Sequence, residues 1–168
     1  MDLVEAVFLV KSSYRAVFLP HRTMDLIDAV GRGDTDKVKQ LLSDGRYDVN
    51  SQDPEFGRAP LHIAVLTSNA DMVKLLLDSG AKVNPENAWG STPLHEAALH
   101  GHEDVVKLLL EHGADPNITD KYGWAPLHGA AYGGHEDTVK LLLEHGADPN
   151  ITNKVSDILC YINKVPWR

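Results

Sequence analysis

Hydrophobic and polar residues along the chain form a pattern that repeats at a fixed interval of 33 residues. The markers of this interval are the Pro-Leu-His runs that begin at Pro60, Pro93 and Pro126 and the glycines Gly80, Gly113 and Gly146. The stretches 87–119 and 120–152 are identical at 24 of their 33 positions, without a gap. Such a period is typical of stacked supersecondary units that bury their apolar faces on one another. The pattern therefore predicts a solenoid.

Each unit begins with a short predicted helix. Thr92 and Pro93 are typical of a helix start, with a hydroxyl residue at the N-cap and proline at the first helical position. Gly101 is a residue type that ends helices. We therefore expect a helix over residues 93–100, with the Thr92 hydroxyl capping its first turn.

A second, more apolar helix is expected over residues 102–112. Its valines and leucines are too numerous for a helix that buries a single face, so we expect one face to be covered by its own unit and one by the next. The turn residues that follow, from Asp115 to Asn117 and at Gly123, predict an extended finger that leads into the following unit.

The two most regular units carry a family resemblance. The runs GSTPLHEAALHGHEDVVKLLLEHGADPN and GWAPLHGAAYGGHEDTVKLLLEHGADPN resemble ankyrin repeats almost position by position. The resemblance covers roughly residues 24–152. It implies an all-α ankyrin-repeat solenoid of stacked helix-turn-helix units with β-hairpin-like fingers.

The domain organisation that follows is a row of units between two tails. We expect an N-terminal extension (1–23), an N-terminal capping repeat (24–50), ankyrin repeats one (51–86), two (87–119) and three (120–152), and an incomplete C-terminal cap (153–168).

Both tails leave alternatives open. The stretch 1–7 nearly duplicates 24–30, either by coincidence or an extended reading frame, or as a duplicated cap fragment that packs on the N-terminal cap. At the other end, residues 156–165 can form only one short helix, which leaves the apolar helices of repeat three poorly covered. We therefore expect a monomer, or weak self-association through the C-terminal repeat.

Composition and charge narrow the class of protein. The chain has 168 residues and a formal net charge of −8, and residues 24–153 alone carry −11. An acidic body argues against nucleic-acid binding, which needs clustered Lys and Arg. No stretch approaches the ~18 apolar residues of a membrane span. The single cysteine, Cys160, fits a reducing compartment, so we expect a cytoplasmic protein without a membrane segment.

Nine histidines raise the question of a metal or catalytic site. His95 and Glu96 begin a sequence similar to the zinc-protease HExxH motif, but His100 follows His95 at five residues and leaves the shared helix face. The ankyrin resemblance implies instead that His62, His95 and His128 hydrogen-bond between finger and helix. We predict no metal, no cofactor and no enzymatic activity.

The positions that differ between repeats indicate a binding surface. Aromatic residues recur at the finger tip, and further varied side chains follow on the finger and on the concave side of the first helix. Aromatic residues and arginine are enriched in binding hot spots. The alternative is that the tip aromatics pack on neighbouring fingers for stability. The predicted partner-binding residues are Phe56, Arg58, Leu66, Trp89, Ser91, Leu99, His100, Tyr122, Trp124 and Tyr132.

The sequence thus predicts a non-catalytic protein–protein interaction module that binds a folded partner through its concave groove and finger tips. Two other functions stay open. One is a regulatory inhibitor of a partner enzyme such as a kinase, by analogy at the level of the fold. The other is the substrate-delivery part of an enzyme complex.

Overall fold

The structure, a computed structural model, describes residues 21–152. Over this range it contains eight α-helices and no strand, which confirms the predicted all-α solenoid. Most of the expected N-terminal extension and all of the expected C-terminal cap, residues 1–20 and 153–168, lie outside the described residues.

The helices come in four consecutive pairs that pack side by side. The first helix begins at His21, three residues before the position at which we expected the capping repeat to start. The helices are α1 (His21–Gly31), α2 (Thr35–Ser43), α3 (Pro60–Leu66), α4 (Ala70–Asp78), α5 (Pro93–His100), α6 (Glu103–Glu111), α7 (Pro126–Gly133) and α8 (Glu136–Glu144).

Helix α5 has the predicted bounds, but its first turn is not capped by the hydroxyl. The Oγ1 atom of Thr92 lies 2.8 Å from Nδ1 of His95 and makes no hydrogen bond to a helix amide. The backbone amide of Thr92 donates to the same ring nitrogen at 3.1 Å. The imidazole therefore binds both the backbone amide and the hydroxyl of the N-cap residue, and the predicted bond from a helix amide to the hydroxyl is not formed.

Two of the three histidines singled out by the ankyrin resemblance, His62 and His95, also join one repeat to the next. In His62 the Nδ1 atom accepts the backbone amide of Ala59 at 3.1 Å, so the ring hydrogen is on Nε2, which donates to the carbonyl of Ser91 at 3.0 Å. Nε2 of His95 lies 2.9 Å from the carbonyl oxygen of Trp124 in the same way. The implied bond between helix and finger is thus confirmed at both residues.

Burial of these rings affects their ionisation. Desolvation lowers the pKa of His62 to about 4, against the opposing effect of its bond to Ser91. Burial likewise lowers the pKa of His95. Both rings are therefore neutral at pH 7, as their bonding requires.

Helix α6, the second helix of repeat two, is buried on both sides, as expected. Val105, Val106 and Leu109 of α6 are at most 1% exposed. The finger bases add polar ties between repeats: Asn117 donates its Nδ2 to the carbonyl of Gly146 at 3.0 Å and accepts the amide of Asp148 on Oδ1 at 2.7 Å. Apolar contact and paired amide bonds together fix the register of the stack.

The outer face of repeat three is more exposed than the same face one repeat earlier. Leu143 is 44% exposed, whereas its equivalent Leu110 is 8% exposed. Val139 is half-buried where Val106 is fully buried. None of the described helices is long and apolar enough to cross a lipid bilayer.

Candidate protein-interaction surface

The finger-tip aromatics are held in place by acidic or amide side chains that accept their backbone amides. In the second finger, Oδ1 of Asn87 accepts the amide of Trp89 at 2.9 Å, and in the third Oδ1 of Asp120 accepts that of Tyr122 at 2.9 Å. Asp53 does the same for Phe56 in the first finger at 2.5 Å. Sequence reasoning missed these residues, although an Asp or Asn two or three positions before each aromatic was a visible signal of such a turn.

Backbone bonds align the three tips. The amide of Ala88 donates to the carbonyl of Phe56 at 2.8 Å, and the amide of Lys121 donates to the carbonyl of Trp89 at 3.0 Å. Ala88 and Lys121 are equivalent positions, 33 residues apart. Neighbouring fingers therefore meet in the same way at both junctions, and the tip aromatics form one line.

The first two aromatics of this line are stacked on each other. The ring centroids of Phe56 and Trp89 are 5.7 Å apart with an interplanar angle of 18°. The guanidinium carbon of Arg58 lies 5.2 Å from the Phe56 centroid and 5.5 Å from the Trp89 centroid. Arg58 is only 9% exposed. Its side chain is held against the two rings of its own chain, and its role in partner binding stays a prediction.

A polar cluster lies near this stack. The Nδ2 atom of Asn87 donates to Oε1 of Glu96 at 3.3 Å, while Oε2 of Glu96 and Nε of Arg58 are buried without a hydrogen-bond partner. Burial raises the pKa of Glu96 to about 7, against the opposing effects of Arg58 and Asn87. This carboxyl group was absent from the predicted site, although its position differs between the repeats, with Ile63 and Gly129 as its equivalents.

The third finger has a different arrangement. Trp124 is half-buried and meets Tyr132 edge to face, with centroids 5.7 Å apart and an interplanar angle of 74°. Its ring also lies 6.1 Å from that of His128. Tyr132 itself is 63% exposed and Tyr122 is 55% exposed. The third repeat thus presents the two most exposed aromatic side chains in the described part of the chain.

The remaining predicted residues are half-buried. Leu66, Leu99 and His100 lie at the C-terminal ends of the first helices, and Ser91 lies in the second finger. The backbone amide of Ser91 donates to Oδ1 of Asn87 at 3.0 Å, so this residue helps to form the turn. The ten predicted residues therefore divide into three exposed aromatics, six half-buried residues and one buried arginine.

The histidines near the ends of the first helices do not form a metal site. The rings of His100 and His102 meet edge to face at 5.6 Å. Within residues 21–152, no group of three or more His, Cys, Asp or Glu side chains is arranged to hold a metal ion.

Two family models match the chain. One, described as "Ankyrin repeats (3 copies)", matches residues 26–120, and the other, described as "Ankyrin repeat", matches residues 122–154. Together they cover most of the described residues.

Similar segments occur inside larger proteins. Ankyrin repeat protein FPV240 of fowlpox virus (strain NVSL) is 35% identical over 86 residues, which are 50% of this chain and 21% of that protein. The 2-5A-dependent ribonuclease of Homo sapiens is 52% identical over 56 residues, 33% of this chain and 7% of the ribonuclease. NF-kappa-B inhibitor cactus of Drosophila melanogaster is 40% identical over 60 residues, 36% of this chain and 12% of cactus. The chain thus spans about a fifth of the first relative and less of the others.

Proposed function

Because this chain belongs to the ankyrin-repeat family, we propose that it is a non-catalytic module that binds a folded protein partner through its finger tips and concave groove. The observation that carries the proposal is the exposure of aromatic side chains along one edge of the stack. Trp89, Tyr122 and Tyr132 are 37%, 55% and 63% exposed. Isolated aromatics on a surface need no explanation, but three in one region match the composition of interface hot spots.

The way in which the tips are held supports the same function. The backbone amides of Trp89 and Tyr122 are fixed by Asn87 and Asp120, and the finger of Tyr122 is bonded to that of Trp89. A side chain on a fixed backbone loses little conformational entropy when a partner covers it. The tips are therefore suited to contribute net binding free energy.

Affinity and stability measured together test this function. A partner captured from native lysate would be purified, and its affinity compared for the wild type, Tyr122→Ala, Tyr132→Ala and the control Lys107→Ala. Lys107 is exposed on the second helix of repeat two, away from the finger tips. Truncation of a central aromatic is expected to cost about 2–4 kcal/mol of binding.

Each outcome has a clear consequence. Weaker binding by the tyrosine variants, with thermal midpoints close to the wild type and normal binding by Lys107→Ala, supports the proposal. Normal binding by both tyrosine variants contradicts it and favours the alternative that the aromatics only pack on neighbouring fingers.

A regulatory inhibitor is a second candidate, favoured by the match to a protein named as an inhibitor, NF-kappa-B inhibitor cactus. The activity of the captured partner, measured with and without this chain, separates the two. A third candidate is a substrate-delivery part of an enzyme complex, suggested by the matching segment inside 2-5A-dependent ribonuclease. It predicts that the chain raises the partner's activity toward a bound substrate instead of lowering it.

Location and assembly complete the proposal. A cytoplasmic location, no binding to nucleic acid and a monomeric or weakly self-associating state are expected. The acidic charge supports the absence of nucleic-acid binding. The exposed face of repeat three supports weak self-association.

A further inference from the structure

A cation of the chain itself lies beside the stacked aromatics of its first two finger tips. Phe56 and Trp89 stack, and the guanidinium carbon of Arg58 lies within 5.5 Å of both ring centroids. Contact between a guanidinium group and aromatic faces is attractive because the ring faces carry negative electrostatic potential. We call this arrangement of Phe56, Arg58 and Trp89 the first slot.

The next pair of fingers has the same backbone arrangement. The carbonyl of Trp89 accepts the amide of Lys121, just as the carbonyl of Phe56 accepts the amide of Ala88. The aromatic that follows Trp89 in the line is Tyr122, and the residue equivalent to Arg58 is Ser91. We call the space bounded by Trp89, Ser91 and Tyr122 the second slot. The hydroxyl side chain of Ser91 carries no charge, so the slot has no cation at this position.

The rings of the second slot remain accessible. Trp89 is 37% exposed and Tyr122 is 55% exposed. Within residues 21–152, Phe56 is the one aromatic ring that stacks on Trp89. The Tyr122 ring contacts no other aromatic ring in this range. The second slot is therefore open where the first is closed by its own arginine.

The charges around the second slot favour a cation. Asp120 takes the place that Asn87 has beside the first slot. Both Asp120 and Glu86 act on His95 beneath the fingers and oppose the lowering of its pKa by burial, which places two carboxylates in this region. His95 itself is neutral at pH 7, and the nearby ammonium of Lys121 donates to the carbonyl of Ala88 at 2.6 Å. The guanidinium of Arg58 is held against the Phe56 and Trp89 rings, so both cations near the slot are engaged and the two carboxylates remain to attract a further cation.

We propose that the second slot receives an arginine side chain of the protein partner. This inference rests on the proposed function and names the chemistry of that partner. A planar guanidinium group can stack on Trp89 or Tyr122 and still donate hydrogen bonds to a carboxylate, and it loses less hydration than an ammonium. The charge of −11 on residues 24–153 also favours the approach of a cationic partner surface.

A small probe tests the slot directly. N-acetyl-arginine amide would be titrated into the full chain while the indole N–H resonance of Trp89 is followed by NMR. N-acetyl-citrulline amide, a neutral compound of almost the same shape, is the matched control. Weak binding of the arginine probe is expected, with an affinity about three- to tenfold higher than that of the citrulline probe.

Variants of the two equivalent positions show where the probe binds. In Ser91→Arg the chain supplies its own cation to the second slot, so the response to the arginine probe should fall about tenfold while the protein stays folded. Lys107→Ala, the control on the second helix of repeat two, should respond as the wild type does. Arg58→Ser opens the first slot, and a new response at Phe56 is expected. If Ser91→Arg does not fold, Tyr122→Leu replaces it and should weaken the response.

The outcomes separate this inference from the proposed function. The slot is refuted if the two probes bind equally or not at all, or if Ser91→Arg or its replacement responds as the wild type does. If a captured partner binds Tyr132→Ala more weakly but binds Ser91→Arg normally, the proposal that a partner arginine occupies the second slot is refuted. The proposed function is then still supported. If the chain binds the arginine probe selectively but the partner binds every tip variant as tightly as the wild type, the second slot is supported and the proposed function is contradicted.

Discussion

The Nε2 atom of His135 lies 3.0 Å from the carbonyl oxygen of Leu99, so the start of α8 is tied to the end of α5 in the preceding repeat. The ring fits there because two neighbours lack side chains. A Cβ atom at Gly101 would lie 2.4 Å from the ring, and one at Gly133 would lie 2.5 Å from it. The junction between repeats two and three therefore depends on these two glycines.

Substitution of Gly101 tests this dependence against a matched glycine. Gly101 and Gly134 are equivalent and have similar left-handed backbones, with φ of 67° and 72°, but nothing lies within 4 Å of a Cβ at Gly134. Both alanine variants carry backbone strain, and only Gly101→Ala also displaces His135. We expect Gly101→Ala to lower the free energy of unfolding by about 1–3 kcal/mol more than Gly134→Ala does.

Urea unfolding of both variants, repeated with His135→Ala as background, measures the difference. Removal of the imidazole should bring the two glycine variants to the same loss. An equal loss with His135 present would show that the close contact costs nothing.

The same junction shows how far sequence reasoning reaches. The near identity of the repeats predicts one role for His102 and His135. Yet Nε2 of His102 is buried without a hydrogen-bond partner. The positions that correspond to Gly101 and Gly133 are here Ser68 and His100, which both carry side chains. The role of a repeated residue thus depends on non-repeated neighbours, which the period alone does not predict.

On the candidate surface, too, the sequence predicted backbone positions but not the directions of the side chains. The period predicted the line of tip aromatics, because backbone position follows from the repeat. It did not predict that Arg58 points back onto Phe56 and Trp89, or that Glu96 lies near them. Those directions depend on packing between side chains of two different repeats, and only three-dimensional coordinates contain that information.

The buried carboxyl of Glu96 should make stability depend on pH. Its pKa is raised from 4.5 to about 7, so its stabilising contribution is complete below pH 4.5 and is lost as pH rises through 7. Glu96→Gln removes this titration and keeps an acceptor for Asn87. Relative to the wild type, we expect the variant to gain about 1–3 kcal/mol of unfolding free energy between pH 4.5 and pH 8.

Denaturant unfolding at the two pH values gives that gain directly. Glu111→Gln, a change of an exposed carboxylate in α6, is the matched control and should show no gain. Parallel pH profiles for Glu96→Gln and the wild type would contradict the buried position of this carboxyl group.

The stability contributed by the two hydrogen bonds of the His62 ring should depend on pH in the opposite direction. Its pKa is lowered from 6.5 to about 4 by burial, so its contribution is complete above pH 6.5 and is lost as pH falls toward 4. Protonation also removes the acceptor for the amide of Ala59. The loss should reach about 3 kcal/mol at the acid end of this range.

This loss is best measured in the Glu96→Gln background, because Glu96 titrates in an overlapping range. His62→Asn should be less stable at pH 7 and show a shallower fall toward pH 4. The exposed His145 provides the control, since His145→Asn should keep the steep fall. An unchanged slope in His62→Asn would assign the acid sensitivity to other groups.

The exposed face of repeat three predicts different tolerance at two equivalent leucines. Leu110 is 8% exposed between repeats two and three, and Leu143 is 44% exposed one repeat later. A carboxylate at Leu110 would be buried without a partner, so Leu110→Glu should lower the free energy of unfolding by more than about 3 kcal/mol. Leu143→Glu should cost less than about 1 kcal/mol, because its carboxylate can reach water.

If this face also joins two copies of the chain, Leu143→Glu should abolish concentration-dependent sedimentation, with Glu144→Gln as the neutral control. An equal loss of stability at both leucines would mean that the face is covered in solution.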